Sequence, residues 1–358
     1  METAWFCLVA VMIAVYVVLD GFDLGAGIVH LLVARTGPER RAVLASIGPV
    51  WDGNEVWLIA AAGTLYFAFP ALYSSAFSGF YLPLMIVLWL LILRGIAIEF
   101  RNHVPGLVWQ PFWDAVFAAS SALLAVFFGA ALGNVVRGVP LDAAGEFFLP
   151  LWTDFAAGPN AGILDWYTLL IALAALLALT VHGALWVALK TEAEVEIRAR
   201  RLAGAAWWGL VAAVVLITFS SFRIQPHLLE SFAIRPWGGV FPAAAIAGLI
   251  GAALLNRRRR ELAAFLCSSL FIAGILTSAA FGLYPYVLPS NSDPALSLTV
   301  HGTAASAYGL RIGLVWFIPG MLLAAGYFTY TYRNLSGKVA AGTRASSPNG
   351  TISSQGRS

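Results

Sequence analysis

Charged residues are scarce in this chain of 358 residues, because Asp, Glu, Lys and Arg together make up only 11% of it. Soluble domains carry about 25%. Hydrophobic residues make up 60%, and the mean hydropathy is +0.82. Apolar runs of about 20 residues, long enough to cross a bilayer as helices, recur along the whole chain. The composition excludes an ordinary soluble domain and predicts an all-α integral membrane protein.

Cysteine is also scarce. Cys7 and Cys267 both lie within apolar runs, so neither a disulfide framework nor a metal site is predicted. A Walker motif, a Gly-rich nucleotide loop and a nucleophile elbow are absent from the sequence. The basic run 257–260 is typical of a stop-transfer cluster, so no nucleic-acid partner is predicted. The N-terminus lacks the basic region of a cleaved signal, and we expect it to be the first helix.

The apolar runs predict nine transmembrane helices within a membrane domain that covers residues 1–333. After it, residues 334–358 are rich in Ser and Gly, and we expect a disordered cytoplasmic tail. The charged segment 192–201 is predicted to be a helical extension. The nine spans are predicted at 5–33, 53–76, 79–98, 112–133, 164–190, 204–222, 236–255, 262–288 and 305–332.

The basic residues predict the orientation of these helices. With nine spans, all but four of the 21 Lys and Arg residues fall on one side of the membrane. Positive residues concentrate in cytoplasmic loops. The N-terminus is therefore predicted outside and the C-terminus in the cytoplasm. The four exceptions are Arg137, Arg223, Arg235 and Arg311.

The first predicted helix carries two acids in the string LDGFDLGAG. Asp20 and Asp23 are three residues apart and share one helical face. Gly21 and Gly25 form a small-xxx-small step that lets another helix approach closely. Because ionisable groups in lipid are costly, these acids are predicted to face the bundle interior. They are interpreted either as part of a proton pathway or as buried hydrogen-bonding groups.

The string PVWDGNEVWLI places Asp52 and Glu55 in the first turns of the second predicted helix. With Asp20 and Asp23 they form a predicted ladder of four carboxylates that leads from the cytoplasmic surface toward the middle of the membrane. Such a ladder is what proton transfer into a membrane site requires. The alternative for Asp52 is a helix-capping role, since an acid favours the helix N-terminus.

Other polar and aromatic residues have two interpretations each. Trp51 fits the interfacial aromatic belt, whereas Trp57, nearly two turns deeper, is predicted to pack between helices. Arg94 either snorkels to the cytoplasmic surface or acts as a counter-ion to one of the acids. Histidines inside the apolar runs are expected to be hydrogen-bonded packing residues, although haem ligation stays open for two of them at matched depth. The histidines in question are His30, His182 and His301, the first two being at matched depth.

Several motifs together resemble subunit II of the cytochrome bd-type quinol oxidases, and the similarity extends from the first helix to about residue 333. The two N-terminal motifs in combination are the most specific. The motifs are DGFDLGAG (20–27), IGPVWDGNEVWLI (47–59), AFSGFY (76–81), LGNVVRGVP (132–140) and YPYVLPSNSDPALSLTV (284–300).

This resemblance implies two four-helix bundles plus a peripheral helix in a bacterial cytoplasmic membrane. It implies a heterodimer with a haem-bearing subunit I, often with a small single-helix accessory subunit. The complex would oxidise ubiquinol or menaquinol and reduce O₂ to water without pumping protons. Two haems b and haem d would lie in subunit I, so this chain would ligate no cofactor and hold no complete active site. A structural quinone, menaquinone or ubiquinone, is a candidate ligand.

The resemblance also implies roles for individual residues. Asp52 would belong to a cytoplasmic proton pathway toward haem d, and Trp57 would line an O₂ entry route. This sequence departs from some relatives, in which Glu55 is replaced by Gln and Arg311 by an uncharged polar residue. The loop between the sixth and seventh predicted helices is also too short to form a quinol site. Quinol oxidation is therefore assigned to subunit I.

Two other functions stay open at this point. A proton-coupled transporter could use the same acids, and it predicts a broken helix near the membrane midplane, with 21–27 and 238–239 as candidates. A b-type cytochrome could use His30 and His182 as haem ligands.

Overall fold

The computed structural model describes residues 1–158, 160–335 and 337–339. Within these residues the chain forms thirteen α-helices and a small antiparallel sheet of β1 (Tyr286–Leu288) and β2 (Leu298–Thr299). The helices are α1 (Glu2–Val33), α2 (Gly37–Ile47), α3 (Trp51–Ala68), α4 (Pro70–Gly79), α5 (Tyr81–Phe100), α6 (Trp109–Arg137), α7 (Trp166–Lys190), α8 (Ala193–Ile224), α9 (His227–Ile234), α10 (Val240–Arg257), α11 (Glu261–Leu283), α12 (Val300–Thr303) and α13 (Ala307–Asn334).

Eight helices in the described residues are long and apolar enough to cross a membrane. They are α1, α5, α6, α7, α8, α10 with the 3₁₀ turn before it, α11 and α13. The all-α membrane fold predicted from composition is therefore confirmed. Each of the eight overlaps one of the nine predicted spans, and the remaining span, 53–76, is the region of α3 and α4.

The predicted span 53–76 is corrected by the structure, because two helices replace one. The first ends at Ala68, and the second begins at Pro70. Proline has no backbone N–H and its ring clashes with the preceding helical turn, and here the helix ends before it, with Phe69 in a non-helical conformation. The predicted span 262–288 is also too long, since α11 ends at Leu283 and the chain then enters β1.

Local sequence signals explain where other helices begin. Thr36 caps α2, and Glu39 completes a capping box by accepting from the Thr36 amide. Asp165 caps α7 by accepting hydrogen bonds from the amides of Tyr167 and Thr168. Each cap satisfies amides that have no partner inside the helix.

The eight helices long enough to span, together with α3, pack as two groups of four with α13 alongside. The first group contains α1, α3, α5 and α6, and the second contains α7, α8, α10 and α11. The groups meet where α1 and α6 pack against α7. Gly25 of α1 lies directly against Gly183 of α7, and a Cβ on either glycine would overlap the opposite backbone. The predicted close approach of another helix at this step is therefore observed.

Helices α7 and α13 represent the two extremes of burial. In the most apolar 18-residue stretch of α7, 67% of the residues are buried, whereas in that of α13 none is.

The chain after α13 was predicted to be disordered. Of that segment, Val339 donates its amide to the Lys190 carbonyl, and Lys338 forms ion pairs with Glu196 and Glu261. Residues 336 and 340–358 lie outside the described part of the chain.

Candidate functional site

The two acids of α1 lie in the middle of an unbroken helix, and both are fully buried. They face α3 and α5 and contact different partners there. Asp20 Oδ1 is 2.7 Å from Arg94 Nη2 of α5. Asp23 Oδ2 accepts a hydrogen bond of 2.8 Å from Asn54 Nδ2 of α3. We call Asp20, Asp23, Asn54, Glu55 and Arg94 the carboxylate site.

Arg94 lies between two acids in this site. Its Nη2 atom is 2.7 Å from Asp20 and donates a hydrogen bond of 2.9 Å to Glu55 Oε2. The approach to Asp20 lies off the hydrogen-bonding direction, so that contact is electrostatic. Because Arg94 is fully buried, snorkelling does not describe it. The structure instead places it as the shared counter-ion of Asp20 and Glu55, which is how a buried cation is tolerated in a membrane.

Asn54 is a member of the site that sequence reasoning missed. Its amide nitrogen donates to Asp23, and its amide oxygen accepts a hydrogen bond of 2.9 Å from Tyr332 Oη of α13. It therefore links α1, α3 and α13. A neutral amide gave no charge signal in the sequence. Its position one turn before Trp57, between the two acids of DGNEVW, is the signal that could have identified it.

Asp52 is the exposed member of the predicted ladder. It lies in the first turn of α3 and makes no side-chain hydrogen bond or ion pair with the described residues. The capping position is occupied by Val50, so Asp52 does not cap the helix, although its charge still favours the helix N-terminus. Glu55 is on the same helical face, three residues further on, and its side chain is 21% exposed.

Together these positions change the order of the predicted ladder. Exposure decreases from Asp52 through Glu55 to Asp20, and Arg94 joins the last two. Asp23 is on a separate branch through Asn54. The sequence predicted a single ladder of Asp52, Glu55, Asp23 and Asp20, ordered by depth along the helix axes. Depth along a helix axis does not specify which neighbouring helix a side chain faces.

The two tryptophans of the motif both lie between helices. Trp57 is buried, and its ring packs 5.6 Å from that of Phe328 of α13 and beside Met12 of α1. Trp51 is half-buried, and its ring lies against Gly95 of α5. The packing prediction for Trp57 agrees with this arrangement.

A second buried charged cluster lies near the ends of α1 and α6. Asp114 accepts hydrogen bonds from Arg40 Nη1 and Arg101 Nη2, both at 3.1 Å, and is 2.7 Å from His30 Nε2. Arg101 Nε is a further close partner of the same carboxylate. We call His30, Arg40, Arg101 and Asp114 the Asp114 site. Sequence reasoning missed Asp114, although an acid within the run FWDAVF was an available signal.

Glu39 lies on α2, outside the membrane-spanning helices, and the pKa of its carboxyl is shifted. Partial burial raises the pKa of its carboxyl, but this effect is outweighed by hydrogen bonds from Arg198 and from the amides of Arg35 and Thr36. The net result is a pKa below the ordinary value of 4.5. Glu39 thereby fastens α2 to α8, on the same side as the Asp114 site.

The histidines of the apolar runs contact other groups of the protein. His182 Nδ1 is 2.7 Å from Ser268 Oγ, and its Nε2 is 2.9 Å from the Val18 carbonyl, so both ring nitrogens have partners within the chain. His30 belongs to the Asp114 site, and His301 is exposed and paired with Glu2. In the described part of the chain, no group of three or more His, Cys, Asp or Glu side chains could hold a metal ion.

An open apolar groove of about 650 Å³ runs between α1, α3 and α13. Met12 and Met321 line it and also pack in the cluster around Trp57. Thr64 is a polar residue in its wall. The groove therefore opens on the outer surface of the bundle and borders the apolar cluster that contains Trp57.

Comparison with known proteins agrees with the fold and the motifs. The family described as cytochrome bd terminal oxidase subunit II matches residues 1–335. A probable cytochrome oxidase subunit 2 of Haemophilus influenzae is 30% identical, with 94% of each chain covered. The cytochrome bd-I ubiquinol oxidase subunit 2 of Escherichia coli K12 is 29% identical, also with 94% of each covered.

A solved structure gives the same result for the fold. A chain in the structure of bd oxidase from Geobacillus thermodenitrificans superimposes with a TM-score of 0.71 at 19% identity. The match covers 94% of this chain and 98% of that one. At this level of identity the similarity shows a shared fold and nothing about function.

Proposed function

Because the chain belongs to the cytochrome bd terminal oxidase subunit II family, we propose that it is the non-haem subunit of a bd-type quinol:O₂ oxidoreductase and provides a proton pathway to its partner. The observation that carries this proposal is the graded series Asp52, Glu55 and Asp20, which runs from an exposed to a fully buried carboxylate. The haems b and haem d are assigned to subunit I.

The proposed pathway begins at Asp52, which collects protons from water at the end of the bundle where Arg40, Arg101 and 257–260 lie. Protons pass to Glu55 and then to Asp20, beside Arg94. With the N-terminus outside, this arginine-rich end faces the cytoplasm. Protons taken up there and consumed in O₂ reduction would separate charge without pumping. Asp23 and Asn54 would orient the neighbouring groups.

Two alternatives receive less support. A transporter predicted a break within 21–27, whereas α1 is continuous from Glu2 to Val33. Residues 236–239 form a 3₁₀ turn at the start of a span, which does not interrupt one. A b-type cytochrome would need His182 as a ligand, and both of its ring nitrogens are engaged within the protein.

The test uses Asp20→Asn and Asp52→Asn in the assembled complex, with haem d absorbance to measure assembly. Asp20→Asn leaves Glu55 to neutralise Arg94, so assembly is expected to survive. We expect quinol oxidase turnover to fall on the order of a hundredfold for Asp20→Asn, within the range of proton-transfer contributions. Asp52→Asn should cost less, because water can replace an exposed acceptor.

The matched control is Glu99→Gln, which removes an exposed acid at the end of α5. It should leave turnover unchanged. Full turnover in both Asp variants, with normal haem d content, would contradict the proposed pathway. Loss of haem d from either variant would show a structural role for that acid instead.

We further propose that the face formed by α3, α5 and α13 meets subunit I. Exposed apolar side chains alone do not show this, since lipid is equally apolar. The more specific feature is a set of glycines with nothing packed against them: Gly63 on α3 and Gly320 and Gly326 on α13. Small residues let a partner helix approach closely. Cross-linking from cysteines placed at 320 and 326 to subunit I tests this, with 250 on α10 as the control position.

The apolar groove supports two proposals that exclude each other. It could admit O₂ past Met12 and Met321 toward Trp57, or its apolar walls and the Thr64 hydroxyl could hold a structural quinone. Gly63→Phe would fill the groove, and haem d content would show whether it also disturbs the contact with subunit I proposed above. A raised KM for O₂ with unchanged quinone content would support the gas route. Loss of one quinone per complex, measured by extraction, would support the quinone.

A further inference from the structure

Several buried polar atoms around Asp20 have no hydrogen-bond partner among the described residues. Tyr16 and Trp57 are 3% and 9% exposed, and Asp20 and Arg94 are fully buried. The contacts within the carboxylate site involve only the Nη2 atom of Arg94. The other two guanidinium nitrogens take no part in these contacts and have no hydrogen-bond partner in the described part of the chain. The atoms without a partner are Tyr16 Oη, Trp57 Nε1, both oxygens of Asp20, and Arg94 Nε and Nη1.

The positions of Tyr16 and Asp20 bring these atoms together. Tyr16 is four residues before Asp20 on α1, so both side chains are on the same face. Helical side chains lean toward the helix N-terminus, which directs Asp20 toward the turn of Tyr16. The hydroxyl of Tyr16 lies within electrostatic reach of the Asp20 carboxylate. Tyr16 is about 6 Å further from the arginine-rich end than Asp20.

The remaining surroundings of Tyr16 are apolar. Its ring packs edge-on against Phe128 of α6, 5.8 Å away. Met12, Trp57 and Ala61 complete the same cluster. The hydroxyl, the indole N–H and the free edge of the ion pair are therefore polar groups within an apolar enclosure.

Such an enclosure selects a particular ligand. A buried polar group left without a partner costs about 1–3 kcal/mol, and Tyr16, Trp57, Asp20 and Arg94 each carry at least one such atom. A buried water molecule typically makes about three hydrogen bonds to such groups. Water can accept from Trp57 and Arg94, donate to Asp20, and do either with Tyr16. The available donors and acceptors match water better than an ion, since both charges of the pair are already compensated.

We propose that Tyr16, Trp57 and the Asp20–Arg94 pair bind internal water, and that the Tyr16 hydroxyl relays protons one helical turn beyond Asp20. This proposal rests on the proton pathway proposed above. In the relay, Tyr16 Oη takes a proton from protonated Asp20 and releases its own proton to a bound water. One O–H bond forms at the phenol oxygen and one breaks, so one positive charge moves and no electron is transferred.

The test is Tyr16→Phe in the assembled complex, which removes the hydroxyl and keeps the ring. We expect turnover to fall about tenfold, equivalent to ~1.4 kcal/mol of barrier. We also expect the ratio of turnover in H₂O to that in D₂O to rise, because proton transfer becomes rate-limiting. A purely structural role for Tyr16 would not raise this ratio. The matched control is Tyr167→Phe, a buried tyrosine that bonds to Ser221 at the other end of the bundle.

The outcomes separate this proposal from the pathway on which it rests. Unchanged turnover and isotope ratio in Tyr16→Phe, with Asp20→Asn slow, would overturn the relay and leave the pathway standing. Normal turnover in Asp20→Asn and Asp52→Asn would overturn the pathway itself.

If Tyr16→Phe does not assemble, Trp57→Phe removes the second polar group, and the same rise in isotope ratio is expected. If neither assembles, the wild-type complex still decides the question. A reduced-minus-oxidised infrared difference spectrum should then contain a water O–H band that shifts in H₂¹⁸O. Absence of such a band would contradict the proposal.

Discussion

Two buried charged sites lie along α1, and they differ in how completely their carboxylates are paired. In the Asp114 site one carboxylate faces two arginines and a histidine, and both of its oxygens accept hydrogen bonds. In the carboxylate site Asp20 and Glu55 share one arginine and Asp23 accepts from Asn54, and atoms of Asp20, Asp23 and Arg94 have no hydrogen-bond partner among the described residues.

This difference distinguishes a site that stabilises helix packing from a site that transfers protons. A carboxylate whose two oxygens are both paired with cations resists protonation, because losing one partner leaves another charge buried without compensation. Such pairing suits the joining of α1, α2, α6 and the end of α5. Where two acids share one arginine, a proton can reside on either acid while the other acid still compensates the arginine. We therefore assign stability to the Asp114 site and proton transfer to the carboxylate site, and three predictions test this assignment, followed by one on Glu39.

The largest effect is expected at the Asp114 site. Asp114→Ala would leave Arg101 buried without a counter-ion, at a cost of about 3–5 kcal/mol. We expect loss of assembled complex, measured by subunit content and haem d absorbance in membranes. Glu99→Ala, an exposed acid nearby, is the control and should assemble normally. A fully assembled Asp114→Ala complex would contradict the assignment of this site to stability.

The next effect concerns Arg94. Arg94→Gln leaves Asp20 and Glu55 as neighbouring acids without a cation, so we expect reduced thermal stability and little turnover. Adding Asp20→Asn removes one of the two acids and should restore part of the stability without restoring turnover. The melting temperature and the quinol oxidase rate measure the two effects separately. Recovery of both together would mean that the carboxylate site is structural, like the Asp114 site.

A smaller effect is expected from Glu55→Gln. Arg94 keeps Asp20 as its partner, so assembly should be normal. The intermediate carboxylate of the series is lost, and we expect turnover to fall several-fold less than in Asp20→Asn, because water at this half-buried position can bridge the gap. Rates of the two variants at the same haem d content give the comparison. A larger loss in Glu55→Gln than in Asp20→Asn would reverse the proposed order.

The smallest effect is the pH dependence from Glu39. Its folded pKa is lowered, so the carboxylate contributes stability that is fully present above about pH 4.5 and is lost as pH falls through the folded pKa. Glu39→Gln removes this contribution. The difference in melting temperature between wild type and variant should therefore be present at pH 7 and shrink toward pH 3. A difference that grows as the pH falls would contradict the lowered pKa.

Much of the fold followed from the sequence, because crossing a bilayer imposes one length and one polarity on every span. The break at Phe69 and Pro70 was missed because an apolar run continues through it. The proline was visible in the sequence, and its effect on helix continuity was a better guide there than hydropathy.

The candidate site was predicted in part. The acids Asp20, Asp23, Asp52 and Glu55 stood out because charge is rare in this chain. Neutral members of the same network gave no such signal. Asn54, Tyr16 and Tyr332 were recognised only when the structure placed them beside the acids.

By itself, the sequence determined the membrane class, the approximate spans and the carboxylates that require an explanation. Composition and charge scarcity are properties of the chain and need no tertiary information. Only the tertiary structure decided the pairing: Arg94 with Asp20 and Glu55, Asn54 with Asp23, and Asp114 with two arginines. The physical reason is that pairing depends on which helix faces meet, and that is set by close contacts such as Gly25 against Gly183 between elements far apart in the chain.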